Sequence, residues 1–174
     1  MVNLSVYQAI IAAPFAAIGL RMAGDAVSAI DYLPADTPEQ APADAMTARI
    51  VEQLQAYFRD PHALFTVPLA VTGTAFQQQV WTALQAIPPG TVLTYGELAQ
   101  QLGTAARAIG GACRANPVPI LIPCHRVVAQ HGLGGYAGAV TGDPLAIKRW
   151  LLRHEKVKNR FATLPPSLPG ILYN

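Results

Sequence analysis

A thiol, an imidazole and a guanidinium follow one another in the chain at Cys124, His125 and Arg126. The thiolate is the reactive form of cysteine, and a free thiol with a pKa of about 8.5 is mostly protonated at neutral pH. His125 can act as the base that removes this proton, and Arg126 can add positive potential. The tripeptide therefore predicts a nucleophilic cysteine.

Three prolines, at positions 117, 119 and 123, stiffen the chain that leads to this cysteine. We expect an extended path from Asn116 to Val128 that presents the thiol from a rigid support. Adjacent side chains on an extended segment point to opposite sides, so His125 reaches the Cys124 sulfur only through a turn or a bridging water. An inert buried cysteine is the alternative, and the rigid, polar surroundings disfavour it.

The chain before this segment has the outline of a helix-turn-helix. Tyr95 to Leu102 and Ala105 to Ala115 are helical stretches, and Gly103-Thr104 forms the turn between them. Arg107 and Arg114 are the only charges of the second helix, and small residues elsewhere on it would let a nucleic-acid backbone approach closely. Two helices that pack tightly and bind no DNA are the alternative.

Charge is distributed unevenly along the 174 residues. Residues 1–86 carry three arginines against seven acidic residues, whereas residues 87–174 carry nine lysines and arginines against three acidic residues. The basic second half indicates an anionic ligand, with a chance excess of solvated charges as the alternative. Hydrophobic residues make up 52% of the chain and charged residues 13%, which excludes the disordered class.

Cysteine usage and hydropathy bear on the cellular compartment. Cys113 and Cys124 are too few for a disulfide framework, and their spacing does not match a zinc motif, so we expect reduced thiols in a cytoplasmic protein. The apolar stretch from Ala9 to Leu20 is too short to span a bilayer, and Pro14 interrupts it. No basic residue precedes it, so the sequence predicts neither a targeting segment nor a membrane span.

The first part of the chain alternates short apolar runs with Gly, Ala and Asp, which is typical of a small antiparallel sheet. We expect strands at Tyr7–Pro14, Ala17–Met22 and Val27–Leu33, a helix at Ala45–Phe58, and a further strand at Phe65–Val71. No cluster of residues in this part suggests chemistry, so we interpret it as a scaffold.

Two more helices are expected in the second part of the chain. Thr74 and Gln77 fit a capping box, and an apolar stripe follows them. A later helix is expected to be capped by Asp143, to begin at Pro144 and to end just before Glu155.

These motifs resemble the active-site signature of the O6-alkylguanine-DNA alkyltransferases, also called methylated-DNA-protein-cysteine methyltransferases. The resemblance covers most of the second part of the chain, with the motifs in the same order, and the first part is similar to the family's variable amino-terminal domain far less specifically. The matching segments are Phe76–Trp81, Ile87–Gly90, Thr94–Ala99, Arg107–Gly110, Asn116–Pro119, Pro123–Val127 and Trp150–Glu155.

The resemblance implies an α+β fold in two domains. A small amino-terminal antiparallel sheet with a helix, of the ribonuclease H-like kind, is followed by a mainly helical domain with a helix-turn-helix of the winged-helix type. We place the variable scaffold domain at residues 1–72, the DNA-binding and alkyl-acceptor domain at 73–158, and a carboxyl-terminal tail at 159–174.

The resemblance also implies DNA repair by direct reversal of damage. Such a protein binds duplex DNA in the minor groove, flips out O6-alkylguanine and transfers the alkyl group irreversibly to its own cysteine, once per molecule. Cys124 corresponds to the alkyl acceptor, His125 to a base that acts through water, and Glu155 to the acid that fixes the imidazole tautomer. Asn116 corresponds to the hinge under the thiol, and Tyr95 to the donor at guanine N3.

Contacts to the substrate are implied in the same way. Arg107 matches the arginine that fills the space left by the flipped nucleotide, and Gly110 and Gly111 suit a close approach to the minor groove. Tyr136 matches the loop that walls the base, and next to it Ala137 replaces a serine found in some relatives. The remaining substrate-contacting positions that the resemblance implies are Tyr95, Gly96, Ala106, Cys113, Arg114 and Val127.

The expected partner is double-stranded DNA carrying O6-alkylguanine, and activity on O4-alkylthymine stays open. We expect a monomer without membrane association and without a cofactor, because the alkyl donor is the DNA itself. No metal site is expected, since no cysteine precedes Cys113.

Two other functions remain as alternatives. One is a lesion-recognition protein that binds without transfer. The other is a cysteine hydrolase or acyltransferase, which would need an oxyanion hole that the sequence does not indicate.

Overall fold

The computed structural model describes residues 3–136 and 144–157, which form a mixed α/β fold with a small antiparallel sheet and several helices. None of the helices in these two ranges is long and apolar enough to cross a membrane. The strands are β1 (Ala9–Ala12), β2 (Ala17–Ala23), β3 (Ala26–Leu33), β4 (Leu93–Thr94) and β5 (Val127–Val128). The helices are α1 (Ala45–Arg59), α2 (Ala75–Gln85), α3 (Tyr95–Gln101), α4 (Ala106–Arg114) and α5 (Pro144–His154).

The first three strands form the predicted antiparallel meander, in the order β1-β2-β3. Ile11 pairs with Ile18, and Ile18 pairs in turn with Tyr32, so buried side chains from all three strands meet on one face. Gly19 lies against the Tyr7 ring, and a Cβ atom at this glycine would come within 2.5 Å of a ring carbon. The absence of a side chain at Gly19 therefore lets the tyrosine pack on the sheet.

Helix α1 presents one apolar face to the core. Asp44 caps its amino end by accepting a hydrogen bond from the backbone N–H of Thr47 at 2.7 Å. Ile50, Leu54 and Tyr57 recur at helical spacing and are buried. The helix begins at the predicted residue and ends one residue beyond the predicted one.

The prediction of a strand at Phe65–Val71 is wrong. Within this described stretch only Leu69 forms a ladder contact, an isolated parallel bridge with Val27. The Val27 N–H donates to the Pro68 carbonyl at 2.9 Å, and the Ala70 N–H donates to the Val27 carbonyl at 2.8 Å. Pro68 has no N–H, so the ladder cannot be extended on its side of the bridge.

Helix α2 begins with the predicted capping box. The Thr74 side chain accepts from the Gln77 N–H at 3.2 Å, and the Gln77 side chain accepts from the Thr74 N–H at 2.9 Å. Trp81 lies in the buried stripe behind this cap and donates from Nε1 to the Ala112 carbonyl at 2.9 Å. Because Ala112 belongs to α4, this hydrogen bond holds α4 against α2.

Helices α3 and α4 form the predicted helix-turn-helix outline. Thr94 and Glu97 make a second capping box at the start of α3. The chain leaves α3 through Gly103, whose φ of +65° lies in the left-handed region that glycine adopts at low cost. Strand β4 runs directly into α3 and pairs in parallel with β5, with Leu93 opposite Val127. This short pairing ties the start of α3 to the chain that follows the reactive cysteine.

Helix α5 begins at Pro144 and ends at His154, so Glu155 directly follows it, as predicted. The predicted cap Asp143, the loop residue Ala137 and the tail at 159–174 lie outside the described residues.

Buried residues from both parts of the chain form one hydrophobic cluster. Ile18 and Tyr57 of the first part belong to the same cluster as Trp81, Ile109 and Cys124 of the second. The sheet and α1 therefore pack directly against the part of the chain that carries the thiol.

We expect Thr74→Ala to lower the free energy of unfolding by about 1 kcal/mol, because the first turn of α2 loses its cap. Thr82→Ala on the same helix is the matched control: Thr82 is exposed and donates only to the Gln78 carbonyl four residues earlier. Its replacement should leave stability unchanged or slightly higher. Urea denaturation measures both variants, and equal losses would show that the capping box does not stabilise the fold.

Candidate active site

The backbone turns at the reactive tripeptide. Cys124, His125 and Arg126 form one turn of 3-10 helix, so the prediction of an extended path is wrong here. The chain also bends earlier, at Ile120, whose φ of 76° is rare for a β-branched residue. The thiol therefore lies on a bent and buried segment. A turn of this kind is one of the two ways in which His125 could act on the Cys124 sulfur, the other being a bridging water.

Asn116 holds this bent segment together. Its Nδ2 donates to the Ile122 carbonyl at 2.8 Å and to Cys124 Sγ at 3.2 Å, and its Oδ1 accepts from the Val118 N–H at 3.0 Å. One buried amide thus fixes the backbone on both sides of Ile120 and touches the sulfur.

The Cys124 thiol is 3% exposed, and this burial raises its pKa. The Asn116 amide and the Lys148 ammonium lower the pKa in part, without cancelling the effect of burial. The thiol is therefore protonated at neutral pH in the free protein, and a base must take the proton as it reacts. Burial raises the pKa of the other thiol, Cys113, to about 12, which leaves almost none of it as the reactive thiolate at neutral pH.

His125 is fully buried, and its Nε2 lies 2.8 Å from Glu155 Oε1. An ionised carboxylate only accepts hydrogen bonds, so we assign the hydrogen to Nε2, which leaves Nδ1 unprotonated. Nδ1 has no hydrogen-bond partner among the described residues. Burial lowers the pKa of His125 although Glu155 opposes this, so the ring is neutral at pH 7 and can accept a proton.

Three side chains donate to the carboxylate of Glu155, which is 2% exposed. Besides His125, the Tyr57 hydroxyl donates to Oε1 at 2.7 Å, Arg126 Nη2 donates to Oε1 at 2.8 Å, and Arg126 Nε donates to Oε2 at 3.1 Å. Burial by itself raises the pKa of Glu155, but hydrogen bonds from His125 and Arg126 and the positive charge of Arg126 hold that pKa well below its usual range. The buried carboxylate is therefore ionised.

The structure changes the role expected of Arg126. Its guanidinium is directed to Glu155 and to the Ile87 carbonyl oxygen rather than to the thiol. Arg126 thus balances the charge that orients His125, and the positive charge that lowers the pKa of Cys124 belongs to Lys148.

Lys148 on α5 is fully buried, and no motif of the sequence predicted a role for it. Its Nζ donates to the Val127 carbonyl at 2.7 Å and to the Gly135 carbonyl at 2.8 Å, and lies 5.7 Å from the centroid of the Tyr95 ring. Burial lowers its pKa to about 8. A lysine that immediately follows apolar Ile147 in an amphipathic helix was the only sequence signal of this position.

The interpretation of the first part as a scaffold without chemistry needs correction at two positions. Tyr57 of α1 donates to Glu155, and Tyr32 of β3 shares a hydroxyl–hydroxyl hydrogen bond of 2.7 Å with Tyr136. Both tyrosines of the first part are buried. A buried tyrosine in a sheet or helix has the same sequence pattern as any core aromatic, so the pattern could not reveal these contacts.

A cavity of about 680 Å³ opens at the thiol. This volume is in the range of pockets that enclose small organic ligands. The start of α3, the exposed side of α4 and the chain that leads to Tyr136 contribute its walls. The predicted residues that line it are Cys124, Tyr95, Ala106, Arg107, Gly110, Gly111, Cys113, Arg114 and Tyr136, and Gly135 lines it in addition.

Other predicted site residues do not line this cavity. Asn116, His125 and Glu155 are buried residues that act on the thiol or on each other. Val127 is buried in β5, and Gly96 is exposed in the first turn of α3. Across residues 3–136 and 144–157, no group of three or more His, Cys, Asp or Glu side chains could hold a metal ion.

The fold and the site define a class of proteins that combine a buried Cys-His-Glu arrangement with a helix-turn-helix at the mouth of a cavity. Residues 75–157 match the family model described as "6-O-methylguanine DNA methyltransferase, DNA binding domain". The crystal structure of Mycobacterium tuberculosis OGT in complex with DNA is similar at 36% identity and a TM-score of 0.71, over 88% of this chain and 94% of that one. A crystal structure of the O6-methylguanine methyltransferase of the same organism gives 35% identity and a TM-score of 0.70, over 91% and 94%.

A curated relative agrees with these structures. The methylated-DNA–protein-cysteine methyltransferase of Salmonella typhimurium is 51% identical over 108 residues. This match spans 60% of either chain, less than two thirds of the relative's length. The chain belongs to the O6-alkylguanine-DNA alkyltransferase family.

We expect Glu155→Gln to lower the free energy of unfolding at pH 7 by about 3 to 5 kcal/mol, because Arg126 loses its buried partner charge. The carboxylate has a lowered pKa in the folded protein and about 4.3 in the unfolded chain. Its contribution is therefore present above pH 4.3 and is lost as the pH falls toward the folded value. The difference between wild type and variant should be largest between about pH 5 and 7 and smaller at pH 3.

Denaturant unfolding at several pH values measures this difference. Glu52→Gln is the matched control, because Glu52 is exposed on α1 and its replacement should change stability by less than about 0.5 kcal/mol. A loss for Glu155→Gln that does not shrink between pH 5 and pH 3 would contradict the ionised state assigned to this carboxylate.

Proposed function

We propose that this protein repairs duplex DNA by moving an alkyl group from O6 of guanine to Cys124, once per molecule. The observation that carries the proposal is the Cys124 thiol in the wall of a cavity, next in the chain to an imidazole held by a buried carboxylate at 2.8 Å. Support also comes from a relative that is named a methylated-DNA–protein-cysteine methyltransferase and from a similar structure that contains DNA.

In the proposed reaction, His125 removes the thiol proton through a bridging water. Nδ1 is the atom that accepts it, because Nε2 is engaged with Glu155. The sulfur forms a bond to the alkyl carbon while the bond from that carbon to O6 breaks, and the electron pair of the broken bond passes into the guanine ring. The product is a thioether with no proton to give up and no means of release in this site, so one molecule reacts once.

Tyr95 is the proposed donor for the charge that develops on guanine. Its hydroxyl donates to the Gly135 carbonyl at 3.2 Å, a long hydrogen bond that can be exchanged for one to ring nitrogen N3. Burial raises the pKa of Tyr95, which keeps the hydroxyl protonated and able to donate.

We propose that α4 contacts DNA through the minor groove, with Arg107 in the space that the flipped nucleotide leaves. Arg107 and Arg114 are exposed on this helix. Apart from the nearby backbone of α4 itself, a Cβ atom on Gly110 or Gly111 would meet no atom within 4 Å, so no neighbouring element requires a glycine at these positions. They leave an open surface that a sugar-phosphate backbone can approach closely.

The same proposal includes the type of each part of the fold and the boundary between the two domains. The meander with α1 supports the ribonuclease H-like kind of sheet, and α3, α4 and the short β4–β5 pair support the winged-helix type. A division between residues 72 and 73 is supported by the chain between the Leu69 bridge and the Thr74 cap, which has no helix or strand. The monomeric state, the cytoplasmic location and the lack of a cofactor stay predictions.

Intact-protein mass spectrometry after incubation with a duplex that contains one O6-methylguanine tests the transfer. We expect a gain of one methyl group at a stoichiometry of one, with none in Cys124→Ala. Trypsin cleaves after Arg114 and so separates Cys113 from Cys124, and the methyl group should be on the peptide with Cys124. Tight binding of the duplex without a gain in mass would instead identify a lesion-recognition protein.

Arg107→Ala should slow transfer from duplex DNA by about 10- to 100-fold, because the helix loses the side chain that stabilises the extruded nucleotide. Transfer from the free base O6-benzylguanine needs no extrusion and should change by less than twofold. Arg49→Ala is the matched control, since Arg49 is an exposed arginine on α1. Equal losses with duplex and free base would contradict the role of Arg107 in flipping; single-turnover rates give both values.

A further inference from the structure

The Tyr32 side chain ends at the candidate active site although its strand belongs to the amino-terminal sheet. Tyr32 is fully buried on β3, and its hydroxyl lies 2.7 Å from the Tyr136 hydroxyl. The two ring centroids are 6.2 Å apart, with 40° between the ring planes. Phe15 packs in an edge-to-face arrangement with the Tyr32 ring, at 5.8 Å between centroids. The Tyr136 hydroxyl is therefore hydrogen-bonded to a side chain whose position is fixed by packing.

Tyr136 itself is part of the cavity wall, and its backbone is held from another direction. The carbonyl oxygen of the preceding Gly135 accepts from Lys148 Nζ at 2.8 Å and from the Tyr95 hydroxyl at 3.2 Å. Two groups of the alkyl-acceptor region thus hold the backbone at Gly135, and one hydroxyl of the amino-terminal sheet holds the tip of the Tyr136 side chain. The ring can change position without disturbing the backbone only if the hydrogen bond to Tyr32 breaks.

We propose that Tyr32 determines which O6 adducts the cavity accepts, because its hydroxyl fixes the Tyr136 ring as a wall of set position. The inference rests on the proposed alkyl transfer. A methyl group needs no displacement of this wall. A bulkier substituent such as benzyl needs more room beside the thiol, and the wall moves only at the cost of the hydrogen bond to Tyr32. Tyr32 thereby selects against large adducts although it lies outside the cavity lining.

The burial of Tyr32 makes its hydrogen bond to the half-buried Tyr136 effective as a restraint. Tyr32 is 0% exposed, so its hydroxyl cannot exchange Tyr136 for bulk water when the ring moves. Burial also raises the pKa of both tyrosines, so both stay protonated and the pair persists over the whole neutral range. In such surroundings an unpaired hydroxyl is more costly than at a surface.

Tyr32→Phe tests the proposal with a minimal change, because the ring that packs against Phe15 is kept. Single-turnover transfer rates are measured with two duplexes of one sequence, one with O6-methylguanine and one with O6-benzylguanine. The benzyl-to-methyl rate ratio should rise by about three- to tenfold, the size of effect expected from one restraining hydrogen bond. The ratio cancels changes in stability or DNA affinity that affect both substrates equally.

Tyr7→Phe is the matched control, a buried tyrosine next to the same sheet that belongs to a separate hydrophobic cluster. Its rate ratio should equal that of the wild type. Tyr136→Phe alone and the double variant complete the cycle: if the hydroxyls act through each other, the double variant should have the same ratio as Tyr32→Phe.

The outcomes separate this inference from the proposed function. Wild-type protein that transfers the methyl group, together with a Tyr32→Phe ratio that is unchanged or lower, would overturn the role of Tyr32 and leave the proposed function standing. Wild-type protein that transfers neither group would overturn the proposed function and this inference with it. A raised ratio in Tyr32→Phe but not in Tyr7→Phe is the result that supports it.

Discussion

The buried carboxylate of Glu155 is the group on which the rest of the site depends. It is ionised in the interior because Tyr57 of α1 and His125 and Arg126 of the 3-10 turn donate to it, and its burial would otherwise favour the neutral acid. Each donor is thereby fixed in turn. The hydrogen bond to His125 Nε2 leaves Nδ1 free of hydrogen, so the orientation of one carboxylate decides where the site can accept a proton.

The same network explains how a two-part chain makes one site. Tyr57 lies on α1, whereas Glu155 directly follows α5, so the interior hydrogen bond joins the two parts of the chain next to the thiol. A second link, between Tyr32 and Tyr136, joins the sheet to the cavity wall. Burial strengthens these hydrogen bonds and also raises the pKa of Cys124. Because the thiol is then protonated at neutral pH, the proposed transfer requires His125 to remove its proton.

Local sequence patterns predicted most helices and turns, but they did not predict contacts between residues that are distant in sequence. The capping box at Thr74, the turn at Gly103 and the helix that ends before Glu155 depend on residues that are close in sequence, so their types alone indicate the structure. The resemblance supplied most of the cavity lining. Lys148, Tyr57 and Tyr32 act through partners that are distant in sequence, and a buried polar residue in an apolar stripe does not reveal what it will meet. The prediction of a strand at Phe65–Val71 was wrong because apolar character indicates burial without indicating a pairing partner.

The tautomer and charge of His125 decide whether this side chain can take the Cys124 proton. Nitrogen-15 NMR of protein labelled in its histidine rings, with His125 assigned by comparison with His125→Gln, distinguishes a protonated from an unprotonated ring nitrogen. We expect a neutral ring at pH 7 with hydrogen on Nε2 and none on Nδ1, and no protonation until the pH falls below the usual histidine pKa of about 6.5. Hydrogen on Nδ1, or an imidazolium at pH 7, would contradict this expectation, because His125 could then not take the proton of Cys124.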